Sequence, residues 1–352
     1  DESIGKKLFE VSLKEFLELI EPDEAVVLLG TDNLHRLYRC ELRRGAAAPP
    51  QKVGAAEWDY TRFHAWKVEY PRKYGMDVQI YYGHLRGPAP GQVAETIAGL
   101  LPAGRFGTKL GTIVTEGRLF SFAHRLAAEI AGDHTATTVA PSARWLAGMR
   151  RSELKGAGAV AWLASAPAGD QAMGTLYAEL PAVFAQSGIA RLESGILPDL
   201  ASRKLVVIGC HGRGSNQEGF VQLMDGDTAY EPDAVANRVA DSTVVVLFVC
   251  HGGRGDEALY SHETAGLTSS LLSHGVRAVV AALWPLDASL AAPWLEEFGK
   301  TDRGASVVER VDQAQRAVAR RPAFAERFGE HPLVKTAFTV FGDGVVRLDW
   351  PE

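Results

Sequence analysis

Two stretches of the chain, LVVIGCHGRGS at residues 205–215 and VVVLFVCHGGRGD at residues 244–256, decide the fold. Each begins with a run that is apolar at nearly every position, as expected of a strand covered on both faces of a sheet. Each run ends on a Cys-His pair, Cys210-His211 or Cys250-His251, followed by glycine. Glycine allows a sharp turn and the close approach of another group. The stretches predict two buried strands whose ends carry reactive side chains, close together if the strands are neighbours.

Further apolar runs alternate with helical segments from residue 93 onward. The other predicted strands are residues 112–115, 137–140, 159–165, 277–284 and 337–341, and the predicted helices are residues 171–186, 232–240, 264–273, 289–298 and 306–320. The last helix opens with the capping box Ser306-Val307-Val308-Glu309. This alternation predicts an α/β fold, a mostly parallel sheet with helices on both faces.

The beginning of the chain has a different pattern. The capping box Ser12-Leu13-Lys14-Glu15 and the apolar residues after it predict one helix. Short β-like runs separated by turn-rich pieces then predict a small antiparallel region; they cover residues 25–29, 37–42, 65–70 and 78–82. Gly and Pro mark residues 83–92 as a linker. We therefore expect an N-terminal helix plus antiparallel β region over residues 1–92 and the α/β domain over residues 93–352.

Composition excludes several classes of protein. The chain has 352 residues, of which 46% are hydrophobic, and a net charge of −6. This is ordinary globular composition without the basic footprint of a nucleic-acid-binding protein. No run approaches the roughly 18–20 apolar residues of a membrane span, and the first residues lack the regions of a signal peptide. Three cysteines are too few for a disulfide framework. We expect a cytoplasmic protein that binds neither membranes nor nucleic acid directly.

The chemistry that fits the two strand ends is nucleophilic acyl transfer. A thiol becomes a competent nucleophile when an imidazole lowers its pKa or takes its proton. Adjacent side chains at a strand end diverge, which leaves two dyads, His211 with Cys250 or His251 with Cys210. The residues alone do not choose between them. The backbone N–H groups of Gly212 and Cys250 are the natural donors for an oxyanion.

A zinc site is the rival interpretation, because two Cys-His pairs supply two thiolates and two imidazoles. The same divergence makes tetrahedral convergence of four ligands awkward, so no metal and no organic cofactor is expected. A different thiol enzyme on the same sheet, such as an amidase or acyltransferase acting on small molecules, remains a third hypothesis.

Four further motifs occur in a fixed order along the chain. They are Ile113-Val114-Thr115-Glu116-Gly117, Ala140-Pro141-Ser142, ETAGLTSSLLSHGVRAVVAALW at residues 263–284 with Asp287, and His331-Pro332 followed by Gly342-Asp343. With His211-Gly212 and Cys250, they resemble the CHAT family, caspase-like cysteine peptidases related to separases, over residues 93–345. The resemblance implies that Cys250 is the nucleophile, that His211 is its base, and that Gly212 belongs to the catalytic site. The chain departs from the family's usual Ala-Cys-Glu-Thr motif, since it reads Val249-Cys250-His251-Gly252.

The resemblance also implies where and how a peptide substrate binds. A peptide would lie as an extended strand beside the sheet edge, with its P1 side chain in a pocket near Cys250. Trp284 and the loop from Pro285 would wall that pocket, His251 would line the cleft, and Asp287 would face a basic P1 residue. Capping of the helix that begins near Ser289 is an equally good interpretation of Asp287.

The function expected from the resemblance is a cysteine endopeptidase that cleaves a specific protein partner. The family implies conditional activation by a regulatory or sensor protein in a bacterial stress or defence pathway. The polar, glycine-rich loop at residues 251–263 fits such control, because a partner would order it. The alternative is a catalytically inactive caspase-like scaffold for protein–protein interaction, against which the intact His-Gly and Cys argue.

Overall fold

The computed structural model describes residues 11–69, 90–115, 117–165, 168–192, 195–214, 221–254, 256–257, 264–302, 304–328 and 331–348. The helices within these ranges are α1 (Leu13–Glu18), α2 (Tyr60–Glu69), α3 (Pro90–Ile97), α4 (His124–Ile130), α5 (Ala143–Arg151), α6 (Gln171–Gln186), α7 (Pro232–Arg238), α8 (Leu267–Ser273), α9 (Ala291–Lys300), α10 (Val307–Arg320), α11 (Pro322–Phe328) and α12 (Pro332–Lys335). Single 3-10 turns lie at Gly117–Leu119 and Ala288–Leu290.

Seventeen strands are described in the same ranges. They are β1 (Glu24–Thr31), β2 (Leu37–Arg43), β3 (Ala46–Ala47), β4 (Gln51–Lys52), β5 (Leu110–Val114), β6 (Ala136–Ala140), β7 (Ala159–Leu163), β8 (Ile189–Leu192), β9 (Leu205–Gly209), β10 (His211–Gly214), β11 (Val221–Asp225), β12 (Thr228–Tyr230), β13 (Val244–Phe248), β14 (Asp256–Glu257), β15 (Thr264–Ala265), β16 (Ala278–Ala281) and β17 (Thr339–Gly342).

One large sheet organises the molecule. Its order is β3-β2-β1-β5-β6-β17-β16-β13-β9-β7-β8, and β4 pairs with β2. Strands β16, β13, β9, β7 and β8 run parallel to one another, and strands β17, β6, β5 and β1 form a second parallel block. The two blocks meet at the antiparallel pair β16–β17. The predicted α/β fold with a mostly parallel sheet is confirmed.

Both faces of this sheet are covered, which explains the unbroken apolar runs of the sequence. Every residue of β9, β13 and β16 is buried. In β1, neighbouring side chains divide between two apolar clusters: Val27 joins the main core, whereas Val26 packs with Phe16 and Leu17 of α1. This alternation is the period of two that a strand imposes on its side chains.

The N-terminal strands extend the large sheet. Strands β1 and β2 pair antiparallel, as the sequence predicts, but β1 also pairs in parallel with β5, with Val27 opposite Ile113. The predicted linker at residues 83–92 lies largely outside the described residues, and its last three residues belong to α3. A predicted strand at residues 78–82 also lies outside the described residues.

The prediction of a strand at residues 65–70 was wrong, because residues 60–69 form α2. The Asp59 carboxylate accepts hydrogen bonds from the backbone N–H groups of Thr61 at 2.8 Å and Arg62 at 3.1 Å, as a helix cap does. Phe63 and Trp66, three residues apart, are both buried. A spacing of three places both rings on one face of a helix, whereas a strand would point them to opposite faces.

A buried ionic network joins the second block of strands to the first. The Arg150 guanidinium lies 2.7 Å from Glu24 of β1 and 3.1 Å from Asp343, which follows β17. The other oxygen of Asp343 pairs with Arg277, next to β16, at 3.0 Å. Arg150, Glu24 and Asp343 are nearly inaccessible to solvent. Each charge therefore depends on its partners, because water does not solvate it.

We predict that Arg150→Ala lowers the free energy of unfolding by about 3–5 kcal/mol, because it leaves the buried Glu24 carboxylate without its cation and Asp343 with Arg277 alone. Arg151→Ala is the matched control: Arg151 pairs with Glu15 on the surface at 3.3 Å, and such pairs contribute at most about 1 kcal/mol. Urea-induced unfolding of both variants measures the difference. Equal losses in the two variants would contradict the role given to the network.

Candidate active site

The two Cys-His pairs lie at the same edge of the sheet because β9 and β13 are adjacent and parallel. Their register places Gly209 opposite Phe248, the last residue of each strand. The Cys210 N–H extends this ladder by donating to the Phe248 carbonyl at 3.3 Å. His211 and Cys250 therefore follow directly beyond two paired strand ends. This is the edge at which parallel sheets carry their chemistry.

A tight turn carries the chain away from Cys250. His251 has a φ of 58°, a left-handed conformation that is uncommon for residues other than glycine. The Gly253 N–H donates to the Ala282 carbonyl of the neighbouring strand end at 2.8 Å. A Cβ on Gly253 would lie 2.9 Å from the Phe341 ring. The glycine is therefore required because the turn packs directly on the core.

One small pocket brings the predicted site residues together. Cys250, His211, Cys210 and Asp287 all line it, and its volume is about 30 Å³. The rest of the lining is apolar: Ala172, Met173, Leu176, Phe248, Leu286, Ala288, Leu290, Ala291 and Phe338. A space of this size holds a water molecule or two but no large side chain. The pocket is narrow in this structure.

Burial determines the direction in which the pKa of each thiol is shifted. Burial raises the pKa of the Cys250 thiol, and backbone groups of Leu286 and of Cys250 itself only partly oppose the effect. Burial also raises the pKa of the Cys210 thiol, which is 4% exposed. Cys250 is the more accessible of the two. Burial therefore favours the protonated thiol over the thiolate at both cysteines in this conformation.

An acidic residue that the sequence did not single out contacts the predicted base. His211 Nε2 lies 2.5 Å from Asp170 Oδ2, and the imidazole is about half exposed. Asp170 is the N-cap of α6, where its Oδ1 accepts a hydrogen bond from the Met173 N–H at 3.1 Å. Helix α6 follows β7, the strand next to β9. The signal in the sequence was an Asp before a helix, at a loop leaving the edge of the sheet that carries His211.

Asp287 has the capping role that the sequence left open, and it also lines the pocket. Its Oδ1 accepts from the Ser289 N–H at 3.0 Å and so caps the following 3-10 turn. Its Oδ2 lies 3.2 Å from Arg327 Nη1 but receives no well-aligned hydrogen bond within the described parts of the chain. Burial and the nearby charge of Asp287 raise the pKa of the Glu179 carboxyl. Asp287 is therefore the carboxylate of the pocket lining, with Arg327 as its neighbouring cation.

The remaining predicted site residues are not part of the lining of this pocket. The Trp284 ring is 1% exposed and belongs to the core, while its carbonyl accepts from the His251 N–H at 3.3 Å. The His251 Nδ1 lies 3.4 Å from the Leu283 carbonyl. Gly212 lies in β10, opposite Leu223 of the hairpin strand β11. In the described ranges no three His, Cys, Asp or Glu side chains are arranged as a metal site. No helix within the described residues is long and apolar enough to cross a membrane.

The environment of His251 predicts a pH dependence of stability. Burial lowers the pKa of its imidazole to about 4 from about 6.5, a shift that the Leu283 carbonyl opposes. The unfolded chain binds a proton below about pH 6.5, whereas the folded chain does so only near pH 4, so the free energy of unfolding falls as the pH drops through this window. His251→Gln should remove about 2 kcal/mol of that loss. Chemical denaturation at pH 7.5 and pH 4.5 measures it, and identical pH dependences in both proteins would refute the assignment.

Comparison with known proteins gives two kinds of match. The family model described as "CHAT domain" matches residues 120–343. Two structures of the Saccharomyces cerevisiae separase–securin complex are similar in fold, with TM-scores of 0.54 and 0.53 and 12% identity. They cover 94% and 97% of this chain, which spans only 30% and 31% of the separase chains.

A complex of the pro- and mature domains of Porphyromonas gingivalis RgpB has a TM-score of 0.46 and 13% identity, covering 75% of this chain and 70% of that chain. Sequence comparison with curated proteins gives no significant match. At 12% identity the separase structures show the fold alone. Because the family model matches more than half of its length, the chain belongs to the CHAT domain family.

Proposed function

We propose that this protein is a conditionally active cysteine endopeptidase with Cys250 as nucleophile and His211 as its base. Membership of the CHAT family supports a cysteine peptidase at the level of the family. The observation that carries the specific assignment is the single pocket that both side chains line, at the ends of adjacent parallel strands. A nucleophile and a base must share such a volume for proton transfer between them.

The proposed mechanism uses groups of this chain only. His211 takes the proton of the Cys250 thiol, and the thiolate attacks the carbonyl carbon of the scissile peptide bond. Backbone N–H groups of Gly212 and Cys250 stabilise the oxyanion of the tetrahedral intermediate. The imidazolium then gives its proton to the leaving amine, and water hydrolyses the acyl-enzyme. The product is a carboxylate, with the free thiol restored.

Two features favour this dyad over Cys210 with His251. Cys210 is almost fully buried, and its N–H is engaged in the strand ladder. The His251 ring faces the Leu283 carbonyl and is mostly buried. His211 is the more exposed imidazole and therefore the more accessible one for a substrate.

The position of Asp287 in the lining of the pocket supports a preference for Arg or Lys at P1. Asp287 is the carboxylate side chain in the lining of the pocket, and Arg327 lies 3.2 Å from it. Asp287 Oδ2 is buried and lacks an aligned donor, so a substrate cation would supply the missing hydrogen bond. The peptide itself would bind as an extended strand, with Trp284 and His251 supporting the cleft through the turn that follows Cys250.

The narrow pocket and the raised pKa of the Cys250 thiol support conditional activation. A pocket of about 30 Å³ does not admit a P1 side chain, so the substrate or a protein partner must open it. The loop at residues 251–263, which the sequence suggests a partner would order, lies partly outside the described residues. The solved separases are complexes with securin, and a regulatory protein is proposed here by analogy. A bacterial stress or defence pathway is the setting that the family resemblance implies.

Asp287→Asn tests the P1 preference. Asn caps a helix as well as Asp does, so the fold is retained while the charge is lost. A peptide library varied at P1, with activating partner present, should show cleavage after Arg or Lys in the wild type. The variant should lose this preference about tenfold or more, as expected for removal of one buried charge partner. Indifference of the wild type to P1 charge would discard the acidic pocket.

Expression with the genomic neighbours tests the endopeptidase itself. New protein N-termini should appear with the wild type and with Cys210→Ala, and should be absent with Cys250→Ala and His211→Ala. Proteome-wide sequencing of N-termini measures them. Identical sets of termini with wild type and Cys250→Ala would favour the second candidate, an inactive scaffold, which the narrow pocket also fits.

A further inference from the structure

We infer that Asp170 is a positioning residue for the proposed reaction, and that it assigns Nδ1 of His211 as the ring atom that handles the proton. This inference rests on the proposed function and deepens it. Its basis is the contact of 2.5 Å between Asp170 Oδ2 and His211 Nε2. A carboxylate only accepts hydrogen bonds, so Nε2 must carry the proton. Nδ1 then has the free lone pair that a general base needs.

The carboxylate is held in place independently of the imidazole. Asp170 Oδ1 accepts from the Met173 N–H at 3.1 Å and so fixes the side chain on the first turn of α6. The two residues that follow β7 are anchored as well, because the Tyr177 hydroxyl donates to the Ala164 carbonyl at 2.9 Å and the Ser165 N–H donates to Asp225 at 2.6 Å. A carboxylate fixed in this way determines the orientation of the imidazole. A mobile surface carboxylate would instead adjust its own position to the imidazole.

The alternative is that Asp170 is only a helix cap that happens to pair with an exposed histidine. Surface ion pairs of that kind contribute little. Two observations distinguish the contact from such a pair. Asp170 is only 14% exposed, and Met173, the residue that its other oxygen caps, lines the same pocket as Cys250 and His211. The cap and the imidazole are therefore parts of one local structure at the proposed site.

The Asp170 carboxylate both caps α6 and contacts the His211 ring, and the variant Asp170→Asn separates these two roles. Asn is as good an N-cap as Asp, so α6 is retained. Its single oxygen then serves the Met173 N–H, and its NH₂ group faces His211 Nε2. An N–H donor at that position favours the tautomer with the proton on Nδ1, which is the wrong one for accepting the proton of Cys250. Asp170→Ser retains a cap but is too short to reach the ring.

The experiment measures the rate at which iodoacetamide alkylates Cys250 in the full-length chain at pH 7, resolved by peptide mass spectrometry, and needs no substrate. We expect Asp170→Asn to slow alkylation about 100-fold, the lower end of what a general base contributes, and His211→Ala to slow it at least as much. Asp170→Ser should lie between. Asp199→Asn, which removes a carboxylate that accepts from the Ala201 N–H and does not line the pocket, is the matched control and should retain the wild-type rate.

Nitrogen-15 NMR of the His211 ring gives a second readout that a purely structural role of Asp170 would not change. The neutral ring should carry its proton on Nε2 in the wild type and on Nδ1 in Asp170→Asn. If His211→Ala slows alkylation but Asp170→Asn does not, and the tautomer is unchanged, the role of Asp170 is refuted and the Cys250–His211 dyad stands. If neither variant changes the rate, the proposed dyad itself fails.

Discussion

The parallel register between β9 and β13 is the constraint on which the site depends. It aligns Gly209 with Phe248, so both strands stop at one edge and the next residues leave the sheet side by side. The side chains of both strands are buried, and a shift of one residue would turn each of them to the opposite face. Core packing therefore holds His211 and Cys250 at a common edge, and the chemistry depends on the same contacts that stabilise the fold.

The same edge gathers the acidic residues of the site. Asp170 follows β7 and Asp287 follows β16, the strands that flank β9 and β13 on either side. All four strands are parallel, so their carboxyl ends coincide, which is where open α/β sheets bind their ligands. The second block of strands has the opposite direction and directs its carboxyl ends away from the pocket. The ion pair between Asp343, which follows β17, and Arg277, next to β16, links the two blocks.

The sequence predicted the features that depend on neighbouring residues, and it did not predict those that depend on contacts between distant parts of the chain. Fully apolar runs ending on Cys-His pairs identified β9 and β13, because burial on both faces leaves a local signature. The pairing of β1 with β5 was not predicted, since no local pattern records which strands become neighbours. A strand was predicted where α2 lies because aromatic residues are common in strands. The spacing of three between those aromatic residues indicates a helix instead. Asp170 was missed because a cap is a local feature, whereas its contact with His211 spans 41 residues.

A crystal structure of the protein trapped with a peptidyl acyloxymethyl ketone bearing Arg at P1 tests the central claim most directly. It should show a thioether bond to Cys250 Sγ, with Nδ1 of His211 within hydrogen-bonding reach of the reacting atoms and the P1 guanidinium against Asp287. A thioether on Cys210, or a Cys250 adduct with the His211 ring directed elsewhere, would contradict the proposal that these two strand ends form one catalytic site.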